Sequence, residues 1–150
     1  MLVAAWAVLG GAERSALEVA RHLRDEEGAH VEVLAFTAED GRYRESVEEL
    51  GIPWHVFPLT WHGGRIAKAR SLAGLALRLR RLRPDVLLPY TSRPNVLCGL
   101  VWRVAGASLC VWNQQDLVPP KKFSQPLMRQ AARMTPLLIC LLYTSPSPRD

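Results

Sequence analysis

The chain has 150 residues, of which 49% are hydrophobic and 22% charged, and its 19 lysines and arginines against 14 aspartates and glutamates give a formal net charge of +5. This composition excludes an intrinsically disordered chain, which has fewer apolar residues, and a disulfide-rich mini-protein, which needs more than the three cysteines present. No apolar stretch reaches the roughly 18 residues that suggest a membrane span, and the length suits one globular domain with its own core.

The predicted elements alternate between strands and helices along the chain. Apolar runs predict strands at Leu2–Val8, Val31–Phe36, Trp54–Phe57, Asp85–Leu88 and Ser108–Trp112. Helical spacing predicts helices from about Ala12 to a C-cap at Gly28, over Arg42–Leu50 and Arg65–Leu82, from Pro94 to about Ala105, and from a cap at Ser124 onward. This alternation indicates an α/β fold with a parallel sheet, helices on both faces and right-handed crossovers.

Ligands of such sheets bind beyond the carboxyl ends of the strands. The first of these loops holds Gly10 and Gly11, between a strand and a helix N-terminus, where a phosphate could approach free N–H groups. The pair fits neither the Walker pattern nor the dinucleotide fingerprint, because the further glycines are missing. Taken alone, a glycine pair in such a turn is more often structural than ligand-binding.

The last segment, Cys140–Asp150, breaks every preceding pattern. Its Thr-Ser-Pro-Ser-Pro run can neither continue a helix nor pair inside a sheet. One interpretation is a frayed tail. We favour a second interpretation, in which the segment is not native, because the string resembles the translation of a transposase-type sequencing adapter. Such a segment gives no information about the fold. We therefore expect residues 1–139 to be one incomplete domain of a longer protein, and residues 140–150 to be non-native.

Five short segments carry a resemblance to a known family. They are Gly10–Arg14, Leu17–Ala20, Gly28–Val31, Leu50–Pro53 and Arg83–Val86. In this order and spacing they resemble the N-terminal domain of GT-B glycosyltransferases of family 4, over nearly all of residues 1–139. The resemblance implies two Rossmann-like domains facing a cleft, with the acceptor bound mainly by the N-terminal domain and the nucleotide-sugar donor by the C-terminal one.

We therefore expect the acceptor-side domain of a retaining glycosyltransferase of envelope or exopolysaccharide synthesis. The intact enzyme would move a sugar from a nucleotide-sugar donor to a glycan or lipid-linked acceptor. The donor-domain glutamate pair of the family has no counterpart in this chain, so the fragment alone should be inactive. Two alternatives stay open: a flavodoxin-like single-domain module that binds a phosphorylated ligand, and a GT-B-shaped sugar-nucleotide epimerase.

The resemblance also suggests site residues. Gly10 and Gly11 match the family's glycine loop, which lies against the donor phosphates. The acceptor-side candidates are Asn113, Gln114, Gln115, Asp116, Arg93, Asn95 and His62. Asp116 matches a family aspartate, whereas Gln115 stands where histidine is common. Glutamine does not exchange a proton near neutral pH but its amide can hydrogen-bond a sugar hydroxyl, so we expect substrate orientation at this position and assign no catalytic residue.

The remaining histidines and the cysteines suggest no chemistry of their own. His22 and His30 should lie on the surface, and His55 should be partly buried in a strand. Cys98 and Cys110 should be small core residues in a reducing cytoplasm. No cluster of side chains has metal-ligand spacing, so we expect no metal and no cofactor, the nucleotide-sugar being a substrate.

The segment Arg65–Arg83 has seven basic residues and no acidic one. One interpretation is an ordinary solvated helix face. The other is attraction to an anionic membrane surface, which would place a cytoplasmic protein peripherally at the inner face of the membrane. Nucleic-acid binding is not expected, because no aromatic stacking platform or helix-turn-helix pattern accompanies the charge.

Overall fold

The computed structural model describes residues 1–5, 7, 9–115 and 123–140. Within them, strands and helices alternate throughout. The strands are β1 (Leu2–Ala4), β2 (Val33–Ala35), β3 (Trp54–Val56), β4 (Val86–Pro89), β5 (Leu109–Gln114) and β6 (Leu137–Cys140). The helices are α1 (Gly11–Asp25), α2 (Arg42–Glu49), α3 (Arg65–Leu82), α4 (Ser92–Ala105) and α5 (Gln125–Met134). None of these helices is long and apolar enough to cross a bilayer.

The strands form one parallel sheet in the order β3-β2-β1-β4-β5-β6. This is the doubly wound Rossmann order, in which the chain runs outward from β1 and then crosses back to β4. The β1–β4 pair is therefore the topological switch point, where the strand order reverses. The loops that follow β1 and β4 consequently lie side by side at the carboxyl edge of the sheet.

Two apolar cores cover the two faces of the sheet. Val3 of β1 packs in the core that α3, α4 and α5 complete, whereas Leu2 and Ala4 face the core built with α1 and α2. Successive strand residues point to opposite faces, which explains this division. The strands are apolar on both sides because both sides are covered. The predicted α/β fold with helices on both faces is confirmed.

The first strand is shorter than its apolar run. The strand predicted over Leu2–Val8 ends at Ala4, and Trp6 and Val8 lie outside the described residues. The carbonyl of Ala7 accepts a 3.0 Å hydrogen bond from the N–H of Tyr43, in the first turn of α2. The Ala7 carbonyl therefore bonds to the start of α2 and not to a neighbouring strand. The predicted end of the first strand, at Val8, was wrong.

Strand β6 is an element that the sequence patterns did not predict. It pairs with β5, and Cys140, which was assigned to the non-native tail, lies opposite Gln114 at its end. Its apolar side chains are exposed by 45–53%. They are the least covered side chains among the described strands. The side chains of the other strands in this sheet are buried or partly buried. The tail from Leu141 onward lies outside the described residues.

The helix ends agree with the predicted signals in part. Gly106 caps α4 with φ +85°, as predicted, and Ser124 is the N-cap residue of α5, although its hydroxyl makes no capping hydrogen bond. Helix α1 ends earlier than predicted, with Glu26 as its C-cap. Gly28 follows in the left-handed region, at φ +64°, which glycine adopts without strain.

Candidate functional site

The glycine loop connects β1 to α1 at the carboxyl edge. Gly10 is the N-cap residue of α1, and its carbonyl accepts a hydrogen bond from the N–H of Arg14 at 3.1 Å. A Cβ atom added to Gly11 would meet no atom within 4 Å. Gly11 is thus the exposed first residue of a helix whose N-terminus attracts anions, with open space in front of it.

The carboxylate of Glu13 already occupies part of this helix N-terminus. Its Oε2 accepts a hydrogen bond from the Gly10 N–H at 3.1 Å, and the side chain is only 9% exposed. A Cβ at Gly10 would lie 2.8 Å from the same oxygen. An anion that binds the Gly10 N–H must therefore displace Glu13, whereas the space at Gly11 is open. Glu13 was not among the predicted site residues.

Two buried asparagines join the ends of β4 and β5. The Nδ2 of Asn95 donates to the Asn113 carbonyl at 2.7 Å, and the Oδ1 of Asn95 accepts from the Asn113 N–H at 3.1 Å. The Nδ2 of Asn113 reaches the Pro89 carbonyl at 3.3 Å. Asn95 is fully buried and Asn113 is 8% exposed. Both amides therefore hold the backbone at the ends of β4 and β5 in place.

Gln114 lies at the carboxyl end of β5 and its amide is held on two sides. Its Oε1 accepts from Trp112 Nε1 at 2.8 Å, and its Nε2 lies 3.4 Å from Ser92 Oγ, in the first turn of α4. Gln115 follows and is partly exposed. Asp116 lies outside the described residues. The structure therefore brings Gln114, at the end of β5, beside the N-terminus of α4.

Arg93 connects the loops that follow β3 and β4. Its Nη2 donates to the Leu59 carbonyl at 2.5 Å, and its Nε is buried without a hydrogen-bond partner among the described residues. Burial lowers the pKa of this guanidinium from its ordinary value. A partly exposed cation that is held at one end can pair with an anionic group at this edge.

Thr91, the N-cap residue of α4, has a strained backbone. Its φ is +70° and its ψ 163°, a region that is essentially restricted to glycine. Such a conformation costs about 1–3 kcal/mol and is concentrated at functional sites. No residue pattern at this position predicted the strain, because threonine is a common N-cap residue in relaxed geometry.

His62 does not join these residues through any described contact. It is exposed, in the loop after β3, whose Trp61 turns inward and packs on Phe123 with ring centroids 5.1 Å apart. Lys68 Nζ lies 5.8 Å from the centroid of the Trp61 ring. Trp61 thus ties the β3 loop to the segment preceding α5, and His62 lies at the surface beside it.

The other histidines and the cysteines lie where they were predicted. His22 and His30 have side chains exposed by 62% and 81%, and His55 is partly buried in β3. Cys98 and Cys110 are buried free thiols, and burial raises the pKa of Cys110 to about 12. Among the described residues, no group of three or more His, Cys, Asp or Glu side chains is placed to hold a metal ion.

The described edge is suited to binding and orientation. It offers the open helix N-terminus at Gly11, the Arg93 cation and the Gln114 amide. None of these groups exchanges a proton near neutral pH. These groups can therefore pair with negative charge and form hydrogen bonds.

Comparison with known proteins identifies the family and the fold. A family model of the glycosyl transferase 4-like domain matches residues 10–140. No curated protein sequence matches the chain. Among solved structures, MurG of Acinetobacter baumannii is similar with a TM-score of 0.67 and 20% identity, over 93% of this chain and 40% of that one.

HepE of Anabaena, solved in complex with UDP and glucose, is similar with a TM-score of 0.64 and 22% identity, over 91% of this chain and 36% of that one. At these identities the likeness concerns the fold. The chain spans 36–40% of the length of these structures. With the family match over most of its length and a sheet in the Rossmann order, this chain belongs to the glycosyl transferase 4-like family and has the fold of the N-terminal half of a GT-B glycosyltransferase.

Proposed function

We propose that this chain is the acceptor-side domain of a retaining glycosyltransferase. The intact enzyme moves a sugar from a nucleotide-sugar donor to a glycan or lipid-linked acceptor in envelope or exopolysaccharide synthesis. The observation that carries the proposal is the family match over residues 10–140, on a sheet whose switch point brings the glycine loop beside the loop that follows β4. The neighbour HepE, which binds UDP and glucose, supports a nucleotide-sugar donor.

On this proposal, the donor diphosphate approaches the glycine loop from the open space at Gly11. A side chain at this position would fill that space, which gives a reason for glycine there. The N-terminus of α1 supplies N–H groups and the positive end of its dipole. Glu13 leaves the Gly10 N–H when the phosphate binds, because two anions cannot share that donor at low cost.

The acceptor lies against the ends of β4 and β5. Arg93, which is partly exposed, pairs with an anionic group of the acceptor, and the amides of Gln114 and Gln115 orient sugar hydroxyls. Asp116, outside the described residues, and His62 at the rim complete the proposed acceptor contacts. The leaving diphosphate is stabilised by groups of the donor domain, so residues 1–150 alone do not transfer sugar.

The test is to incubate the full-length gene product with nucleotide sugars, with and without glycan or lipid-linked acceptors. Nucleotide release that depends on an acceptor, together with NMR signals showing a retained anomeric configuration, supports the proposal. Change of the sugar without an acceptor would favour the epimerase. Tight phosphate-ligand binding by residues 1–150 alone, with no turnover by the full-length protein, would favour the flavodoxin-like module.

A further inference from the structure

The hydroxyl group of Tyr43 is buried without a hydrogen-bond partner among the described residues. The side chain lies fully inside the core that α1 and α2 form with one face of the sheet. A buried hydroxyl that stays unpaired is costly, and native structures rarely contain such a group without a reason. Tyr43 therefore holds an unpaired hydrogen-bond donor inside the molecule.

Two contacts hold Tyr43 in this position. Its N–H bonds to the Ala7 carbonyl, and a Cβ on Gly41 would clash with the same carbonyl oxygen, so the start of α2 packs closely against the connection between β1 and α1. The Tyr43 ring packs edge-on against Trp54, with ring centroids 5.6 Å apart and planes at 75°. Tyr43 is thus fixed next to the connection that carries Gly10.

Glu13 belongs to the side of α1 that faces the same core. The buried residues of this helix are Glu13, Ala16 and Ala20, spaced three and four positions apart, and both alanines pack in the core that contains Tyr43. Burial raises the pKa of Tyr43, and the neighbouring Tyr90 and Glu13 add to this effect. The Glu13 carboxylate is therefore close enough to act on the hydroxyl, although it bonds to the Gly10 N–H.

Glu13 needs a new partner once a phosphate takes its place at Gly10. A carboxylate displaced from the Gly10 N–H loses that hydrogen bond, in a side chain that is only 9% exposed. An ionised carboxylate that is buried without a hydrogen bond is strongly destabilised. A hydroxyl donor satisfies it well, because hydrogen bonds from O–H to a carboxylate are short and assisted by charge. The displaced carboxylate and the unpaired hydroxyl would therefore satisfy each other.

We propose that Tyr43 is a positioning residue that receives the Glu13 carboxylate when a phosphate binds to the glycine loop. Without the phosphate, Glu13 accepts a hydrogen bond from the Gly10 N–H. With the phosphate bound, the carboxylate turns about its side-chain torsions and accepts from the Tyr43 hydroxyl, and no proton is transferred. This role rests on the proposed function, because it takes the donor diphosphate to be the anion at Gly10.

The test measures binding of inorganic pyrophosphate to the 150-residue chain by NMR, with the amide resonances of Gly10 and Gly11 as the signal. Tyr43→Phe should weaken binding about tenfold, the effect of losing one hydrogen bond to a charged group. It should not lower the urea midpoint of unfolding, because the hydroxyl has no described partner in the ligand-free chain. Tyr90→Phe, at a buried tyrosine of the same core, is the matched control and should change binding less than twofold.

Glu13→Ala removes the group that Tyr43 receives. Pyrophosphate then meets a free Gly10 N–H, so binding should tighten. Adding Tyr43→Phe to this variant should change binding less than twofold, since the two side chains act as one pair. Circular dichroism checks that each variant is folded. In the full-length gene product, Tyr43→Phe should raise KM for the nucleotide sugar about tenfold and leave kcat unchanged.

Three results would overturn the proposal: an equal loss of binding with Tyr90→Phe, a loss from Tyr43→Phe that persists beside Glu13→Ala, or a loss that is accompanied by a lower urea midpoint. A Gly10 resonance that pyrophosphate does not move would overturn both this role and the proposed approach of the donor. Coupling between Glu13 and Tyr43 in a protein that transfers no sugar would support the positioning role and contradict the proposed function.

Discussion

The side chain of Asn95 holds the backbone of Asn113 through both of its amide atoms, at 2.7 and 3.1 Å. One asparagine lies in the first turn of α4 and the other at the carboxyl end of β5. Because the Asn113 side chain in turn binds the Pro89 carbonyl, the pair fixes the ends of β4 and β5 relative to each other. The loops of the proposed acceptor site depend on this buried connection.

Replacing Asn95 by alanine should lower the free energy of unfolding by about 2–4 kcal/mol, because it leaves the buried N–H and carbonyl of Asn113 without partners. Urea denaturation of the 150-residue chain measures this loss. Gln130→Ala, at an exposed polar residue of α5, is the control and should change stability by less than about 0.5 kcal/mol. Equal effects of the two substitutions would mean that the Asn95–Asn113 hydrogen bonds do not contribute to the free energy of unfolding.

The strained backbone of Thr91 predicts that substitution by glycine stabilises the fold, whereas the substitution of Asn95 destabilises it. Glycine adopts a φ of +70° without strain, but it also adds conformational entropy to the unfolded chain. When both effects are taken together, Thr91→Gly should raise the free energy of unfolding by up to about 1 kcal/mol. Thr60→Gly, at a position whose own φ is not positive, should lower stability by about 0.5–1 kcal/mol. Thermal unfolding distinguishes the two, and a loss at both positions would rule out stored strain at Thr91.

Glu32 makes stability depend on pH in the acid range. Burial alone would raise its pKa, but His30 Nε2 at 2.9 Å and His55 Nε2 at 3.1 Å outweigh burial and lower it. The unfolded chain then takes up the proton at a higher pH than the folded one. The stability contributed by the ionised carboxylate is therefore present above the ordinary glutamate pKa and is lost as pH falls through the lowered one.

Glu32→Gln should make the loss of stability between about pH 5 and pH 3 smaller, since glutamine does not titrate. Denaturation curves at several pH values measure the slope. Glu49→Gln, at an exposed glutamate of α2, should keep the slope of the unsubstituted chain. If both variants behaved alike, the His30–Glu32–His55 contacts would have no role in acid unfolding.

Most of the fold could be predicted because its signals are local. Five apolar runs, the spacing within the helices, and the glycine and proline residues at their ends follow the chain directly. The exceptions depend on contacts between distant residues. The end of β1 depends on the bond from Tyr43 to Ala7, and β6 depends on pairing with β5. A short apolar segment does not reveal such partners.

The site could be predicted less well, for a similar reason. The sequence located the glycine loop and the ends of β4 and β5, since loops after parallel strands share one edge. It did not reveal that Asn95 is fully buried, that Glu13 occupies the Gly10 N–H, or that Thr91 is strained. Each of these depends on where a side chain or peptide lies after folding. Residue type at a given spacing does not determine that placement.

The glycine loop provides the most direct test of the proposed function. Gly11 has open space where a side chain would lie, so Gly11→Val should fold with little change in stability while blocking the approach of a donor phosphate. The measurement is kcat/KM of the full-length gene product with its nucleotide sugar, beside the unfolding free energy of the same variant. The account predicts a fall in kcat/KM of about 100-fold or more with stability nearly unchanged, on the order of the loss of one phosphate-stabilising contact. Transfer at the unsubstituted rate in a folded Gly11→Val enzyme would contradict it.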